Sequence, residues 1–185
     1  MAFLQIDYKS EALMRGVNVK VILPSDGMAG KWEPPYKTLY LLPGYSATAT
    51  ELITYLGLRG QSELKGIAIV LPDGENLFYQ DLPDRMTFYS TYVGKELVEV
   101  TRKMLPLSTK REDTFIGGIS MGGYGALYNG FKYRDTFSKV VAFSPASDAY
   151  MLLAEEDAPG FSRKQFEGIF GSKEAYYGSE CDMCT

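Results

Sequence analysis

Four short, unbroken apolar runs constrain this chain more than any other feature. They are Leu39-Tyr40-Leu41-Leu42, Ile67-Ala68-Ile69-Val70-Leu71, Phe115-Ile116-Gly117-Gly118-Ile119 and Val140-Val141-Ala142-Phe143. None alternates with polar residues, so each must meet apolar surface on both sides. Strands inside a parallel sheet covered by helices read this way. Helical patterns fill the intervals, over 48–64, 88–105 and 121–133. Thr48 or Thr50 supplies an N-cap for the first. The second carries Val93, Leu97, Val100 and Met104 at spacings of four, three and four, a stripe for docking on a sheet, and Pro106 ends it. Segments 3–8 and 17–23 differ. In the latter, Val17, Val19, Val21 and Leu23 alternate with Asn18 and Lys20, the pattern of a half-exposed strand. These two pair antiparallel, with the turn around Gly16. The expected fold is α/β, three layers with a mostly parallel sheet and an antiparallel start.

The 185 residues suit one domain, with residues 150–185 as an irregular, cap-like tail. A net charge of −4 argues against nucleic acid as a partner, since phosphate binding needs clustered Lys and Arg. No apolar run approaches the roughly 18 residues of a membrane span, and no basic region leads into an apolar stretch at Met1, so the expectation is a cytoplasmic protein without membrane contact. Cys181 and Cys184 form a C-x-x-C near the end. With no further Cys and no His to complete a zinc site, they read as incidental tail residues.

Gly118-Ile119-Ser120-Met121-Gly122 fits G-x-S-x-G at the end of a buried strand, where a helix begins with Gly123-Tyr124-Gly125. That context is the nucleophile elbow. A serine on so sharp a turn needs nearly bare neighbours, hence Gly118 and Gly122. The turn lifts the hydroxyl above the sheet and aims the Met121 N–H, at a helix N-terminus, at an oxygen that becomes negative during acyl transfer. A second donor should come from the loop after the 39–42 strand, Pro43-Gly44-Tyr45-Ser46. Gly44 lets the backbone approach substrate, and the Tyr45 N–H is the second oxyanion donor.

These segments, with Leu71-Pro72-Asp73-Gly74, resemble the esterase family of α/β-hydrolases that holds tributyrin, acetylxylan and feruloyl esterases and the esterase D and S-formylglutathione hydrolase group. The resemblance spans residues 1–175. It implies an α/β-hydrolase fold, Ser120 as nucleophile, and the backbone N–H groups of Tyr45 and Met121 as oxyanion hole. The tributyrin-esterase branch usually has His where this chain has Pro43. That His is structural in those relatives, so its loss changes little.

A larger departure is that the sequence contains no His. A serine hydroxyl is a poor nucleophile until a base takes its proton, and in this fold the acid and then the His follow the serine along the chain. The resemblance therefore implies a C-terminally truncated chain that lacks the last two strand–helix units, the catalytic acid and the His. Lys110 and Lys139 do not lie in segments expected near Ser120. Asp148 reads as a loop or helix-cap carboxylate. Truncation would leave the 140–143 run as an apolar sheet edge, which favours poor stability or homo-oligomers.

The loop 73–81 leaves the carboxyl end of a strand, on the rim where open α/β sheets bind ligands. Asn76, Phe78, Tyr79 and, further on, Tyr89 are candidates for a substrate pocket, with Phe161 and Phe166 as possible cap residues. The best reading is a serine carboxylic-ester hydrolase for short acyl esters, working through an acyl-enzyme on a small-molecule ester. No metal or organic cofactor is implied, and the His-free chain is expected to be inactive or nearly so. Two alternatives stay open: a non-catalytic α/β-hydrolase relative used for binding, and a thioester hydrolase of the S-formylglutathione type.

Overall fold

The computed structural model describes residues 1–25, 32–152 and 162–184. The sheet begins with β1 (Ala2–Ser10) and β2 (Arg15–Leu23), paired antiparallel from Ala2 against Leu23 to Ser10 against Arg15. The turn therefore lies at 11–14. Gly16 is not its pivot but pairs with Lys9 inside β2. The Glu96 carboxylate holds this turn, accepting from the Ala12 N–H at 2.7 Å and the Ser10 hydroxyl at 3.1 Å.

Next come β3 (Lys37–Leu42), β4 (Ile67–Pro72), β7 (Thr114–Ile119) and β8 (Lys139–Phe143). Between β4 and β7 lies a hairpin of β5 (Asp81–Leu82) with β6 (Thr87–Phe88), whose strands of two residues each are too short to have been read from the sequence. The six long strands lie in the order β1-β2-β4-β3-β7-β8, with β4, β3, β7 and β8 mutually parallel. All four apolar runs are thus parallel strands, as their patterning required.

The expected helix over 48–64 is two helices, α1 (Ala49–Tyr55) and α2 (Leu58–Lys65), because Gly57 takes the left-handed conformation between them at φ 60°. Thr48 caps α1 in a reciprocal capping box with Glu51. The 88–105 pattern becomes α3 (Tyr89–Thr91), a wider turn over Tyr92–Glu96, and α4 (Leu97–Met104). The third pattern is α5 (Met121–Lys132), and the tail adds α6 (Arg163–Phe170) and α7 (Lys173–Tyr176).

Side chains alternate across the central strands and meet two unequal layers. Tyr40, Leu42, Val70 and Ile116 face the large core beneath α3, α4 and α5. Leu41, Ile69 and Leu71 face a smaller cluster with Leu52 and Leu58 of α1 and α2. Among the described residues no helix is long and apolar enough to cross a membrane.

Candidate active site

Ser120 joins β7 to α5 and is the reason the turn is sharp. Its φ of 55° and ψ of −118° lie where L-residues are strained. The neighbouring glycines are forced by packing. A Cβ on Gly118 would sit 2.0 Å from the Gly122 carbonyl oxygen, and one on Gly122 would sit 2.1 Å from that of Leu42. The elbow therefore tolerates no side chain at either place. Three backbone bonds fix it: the Ser120 N–H donates to the Phe143 carbonyl at 3.0 Å, while the Ser120 carbonyl accepts from Tyr124 at 3.0 Å and Ala146 at 3.1 Å. The serine itself is exposed, whereas Met121 behind it is buried. Met121 is the first residue of α5, so its N–H belongs to the first turn, which has no intrahelical acceptor.

The 43–46 loop stands directly beside this serine. An added Cβ on Gly44 would lie 3.5 Å from the Ser120 Cβ and 3.3 Å from the Ile119 carbonyl oxygen. Loop 73–80 holds it and the start of α1 in place through three bonds. The Tyr79 hydroxyl donates to the Pro43 carbonyl at 2.7 Å, the Asn76 Oδ1 accepts from the Ser46 N–H at 2.7 Å, and the Asp73 Oδ1 accepts from the Ala49 N–H at 2.8 Å. Tyr45 is half-buried, its ring 6.2 Å from that of Phe78, and burial raises its phenol above the usual value.

Of the four residues expected in a pocket wall, Phe78, Tyr79 and Tyr89 are buried and Asn76 is exposed. Tyr79 and Tyr89 are buried, with hydroxyls turned to the carbonyls of Pro43 and Asp73, so they brace the rim from behind instead of facing substrate. Burial holds both phenols protonated far above neutral pH, so neither can serve as a base. Phe78 is also buried, packed edge-on against Tyr124, Phe166 and Phe170 at 5.1–5.6 Å between centroids. Through these contacts α6 closes over the loop. Phe166 belongs to that aromatic cluster, and Phe161 lies outside the described residues. Asn76 is exposed and spends its amide on Ser46.

Sequence reasoning missed the strain around the rim. Ser46, Phe78, Tyr79, Ser120 and Ser144 all have positive φ, between 42° and 58°. Phe and Tyr give no sequence signal for that conformation, so only the Ser120 context was readable. Strained residues gathered in one place mark a site whose geometry the surrounding packing enforces.

Other candidate groups separate clearly. Lys139 opens β8 beside Phe115, at the far end of the strand pair from Ile119 and Phe143, and so cannot reach Ser120. Asp148 caps the short turn Tyr150–Leu152, accepting from the N–H groups of Tyr150 and Met151, and takes a bond from Tyr177. Cys181 is not a loose tail residue: its carbonyl accepts from the buried Tyr124 hydroxyl at 2.8 Å, and burial raises its thiol. Cys184 is exposed. Among the described residues, no cluster of His, Cys, Asp or Glu could hold a metal ion.

A family model described as "Putative esterase" matches residues 10–171. The acetyl esterase of Caldicellulosiruptor saccharolyticus is 35% identical over 191 residues, covering 99% of this chain and 72% of that protein. The S-formylglutathione hydrolase of Paracoccus denitrificans is 28% identical, over 91% of this chain and 63% of its own length. Among solved structures, the fluorophosphonate-binding serine hydrolase F of Staphylococcus aureus, with substrate bound, superposes with a TM-score of 0.81 at 30% identity, over 98% of this chain and 70% of that one.

Proposed function

Because the chain belongs to the esterase family of α/β-hydrolases, we propose that it carries the nucleophile half of a serine carboxylic-ester hydrolase for short acyl esters. The observation that carries this reading is the exposed, strained Ser120 with the Gly44 backbone set against it. In the proposed reaction the Ser120 Oγ attacks the ester carbonyl. The Met121 and Tyr45 N–H groups receive the oxyanion, in the position where removing one such donor typically costs about 3 kcal/mol of transition-state stabilisation. Collapse expels the alcohol, which takes up the proton from serine, and water then releases the acid from the acyl-enzyme.

Each proton transfer needs a base within hydrogen-bond reach of Ser120. The chain has no His, Lys139 is at the wrong end of its strand, and the nearby phenols stay protonated. The isolated chain should therefore acylate slowly and deacylate more slowly still, so that an acyl adduct persists. Incubation with p-nitrophenyl acetate and peptide mass mapping should find acetyl on the peptide bearing Ser120, and none there in Ser120→Ala. Acetyl confined to lysines in both proteins would remove the assignment and favour a binding role. The named S-formylglutathione hydrolase relative supports thioesters as the second substrate class; a thioester acyl donor in the same mapping experiment ranks the two.

A further inference from the structure

The 43–46 loop places a glycine where acyl transfer needs a fixed backbone. Gly44 has no side chain to restrict its torsions, yet the peptide on its carboxyl side carries the Tyr45 N–H. Each of the two peptides flanking Gly44 is pinned by one hydrogen bond. The Gly44 carbonyl accepts from the Ala47 N–H at 3.2 Å, within the loop itself. The Pro43 carbonyl accepts from the Tyr79 hydroxyl at 2.7 Å, a buried bond between residues 36 positions apart. The Pro43 oxygen also lies against α5, since a Cβ on Gly122 would come within 2.5 Å of it. Tyr79 in turn is seated on that helix. A Cβ on Gly125 would meet its ring at 2.3 Å, and one on Gly74 would meet its hydroxyl at 2.3 Å. Asn129, one turn beyond Gly125, donates to the Tyr79 carbonyl at 3.4 Å and to that of Gly125 at 2.8 Å. The Tyr79 backbone has a φ of 58°, a conformation that its surroundings must enforce.

We propose that Tyr79 is a positioning residue for acyl transfer: with its ring seated on α5 and its hydroxyl on the Pro43 carbonyl, it sets the spacing between the Tyr45 N–H and the helix that follows Ser120. This rests on the esterase reading above. Two oxyanion donors act together only if both reach the same oxygen, at about 2.7–3.1 Å from each. One of them, the Met121 N–H, belongs to α5 itself. The other belongs to a loop whose glycine lets it turn away. A strut from α5 to that loop keeps the pair in register, and Tyr79 is the side chain that spans the gap. The Asn76 and Asp73 bonds do not do the same job. They reach the chain further on, at Ser46 and Ala49, and Asn76 is exposed, so water competes for its amide. The Tyr79 bond is buried, and removing the hydroxyl leaves the Pro43 carbonyl without that partner. Burial also keeps the phenol protonated, so it donates at every working pH.

The test follows acetylation of Ser120 in the full chain by p-nitrophenyl acetate, read from the mass of the Ser120 peptide against time and ester concentration. Tyr79→Phe keeps the ring and removes only the hydroxyl. The limiting rate of acetylation should fall about 10- to 100-fold, as for an oxyanion donor displaced rather than deleted, while the half-saturating concentration changes by less than about twofold. Tyr40→Phe is the matched control. Its hydroxyl is equally buried but bonds to Thr101 on α4, at 2.9 Å, away from the 43–46 loop. This variant loses a comparable bond and should acetylate within about twofold of the unsubstituted rate. Gly125→Ala pushes the ring aside with its hydroxyl intact and should slow acetylation as Tyr79→Phe does. Should Tyr79→Phe fail to melt cooperatively, Gly125→Ala decides, and an unsubstituted rate there overturns the proposal. Tyr79→Phe acetylating at the unsubstituted rate, or slowed no more than Tyr40→Phe, overturns it and leaves the esterase reading standing. No acetyl on Ser120 of the unsubstituted chain overturns both.

Discussion

The two faces of one sheet make an instructive contrast. On the α5 face, Tyr40, Val70 and Ile116 are completely buried in the core beneath α3, α4 and α5, the last of which begins at the candidate nucleophile. On the other, Leu41 and Ile69 are buried near α1 and α2, whereas Val141 and Phe143 on β8 are 42% and 56% exposed. The residues are equally apolar on both sides, so composition does not set their burial. The covering helix does. The elbow is complete because everything that shapes it, from Gly122 against Leu42 to the Phe143 carbonyl, lies on or next to the finished side.

If this contrast is real, mutational cost should follow the covering layer and not residue type. The largest effect is expected at Ile116→Ala, which opens a cavity under α5 and should cost about 2–5 kcal/mol in urea unfolding. Gly122→Ala should follow, at about 1–3 kcal/mol, because the new methyl meets the Leu42 carbonyl and neither backbone can withdraw far. Thr48→Ala removes the capping box of α1 and should cost about 1 kcal/mol. Val141→Ser, one strand away from Ile116, should change stability by no more than about 0.5 kcal/mol. A cost at Val141 equal to that at Ile116 would break the comparison, because it would mean that something already covers this face.

The parallel strands were readable from the sequence because a buried strand needs apolar residues on both faces, and residues 39–42 and 67–71 say so directly. Residues 140–143 form a parallel strand at the end of the sheet order, the apolar edge expected of them, with burial that alternates along the strand: an apolar run records what a strand requires, not what is there to cover it. The split between α1 and α2 escaped because Gly57 within a helical pattern gives no sign of its left-handed backbone. Gly118 and Gly122 were legible because close packing leaves no room for a side chain at either place, and Ser120 because it stands between them in G-x-S-x-G. The positions of Phe78, Tyr79 and Tyr89 were not. An aromatic residue serves equally well in a pocket wall or a core, and here loop 73–80 turns its rings inward to brace the 43–46 loop.

The central proposal is that Ser120, exposed and strained on its turn, is a preformed nucleophile. A fluorophosphonate probe with peptide mapping tests it most directly, applied to the chain and to Ser120→Ala. The expected result is slow labelling on the Ser120 peptide that is lost in Ser120→Ala. Labelling at another residue, or labelling that persists undiminished in Ser120→Ala, would contradict it.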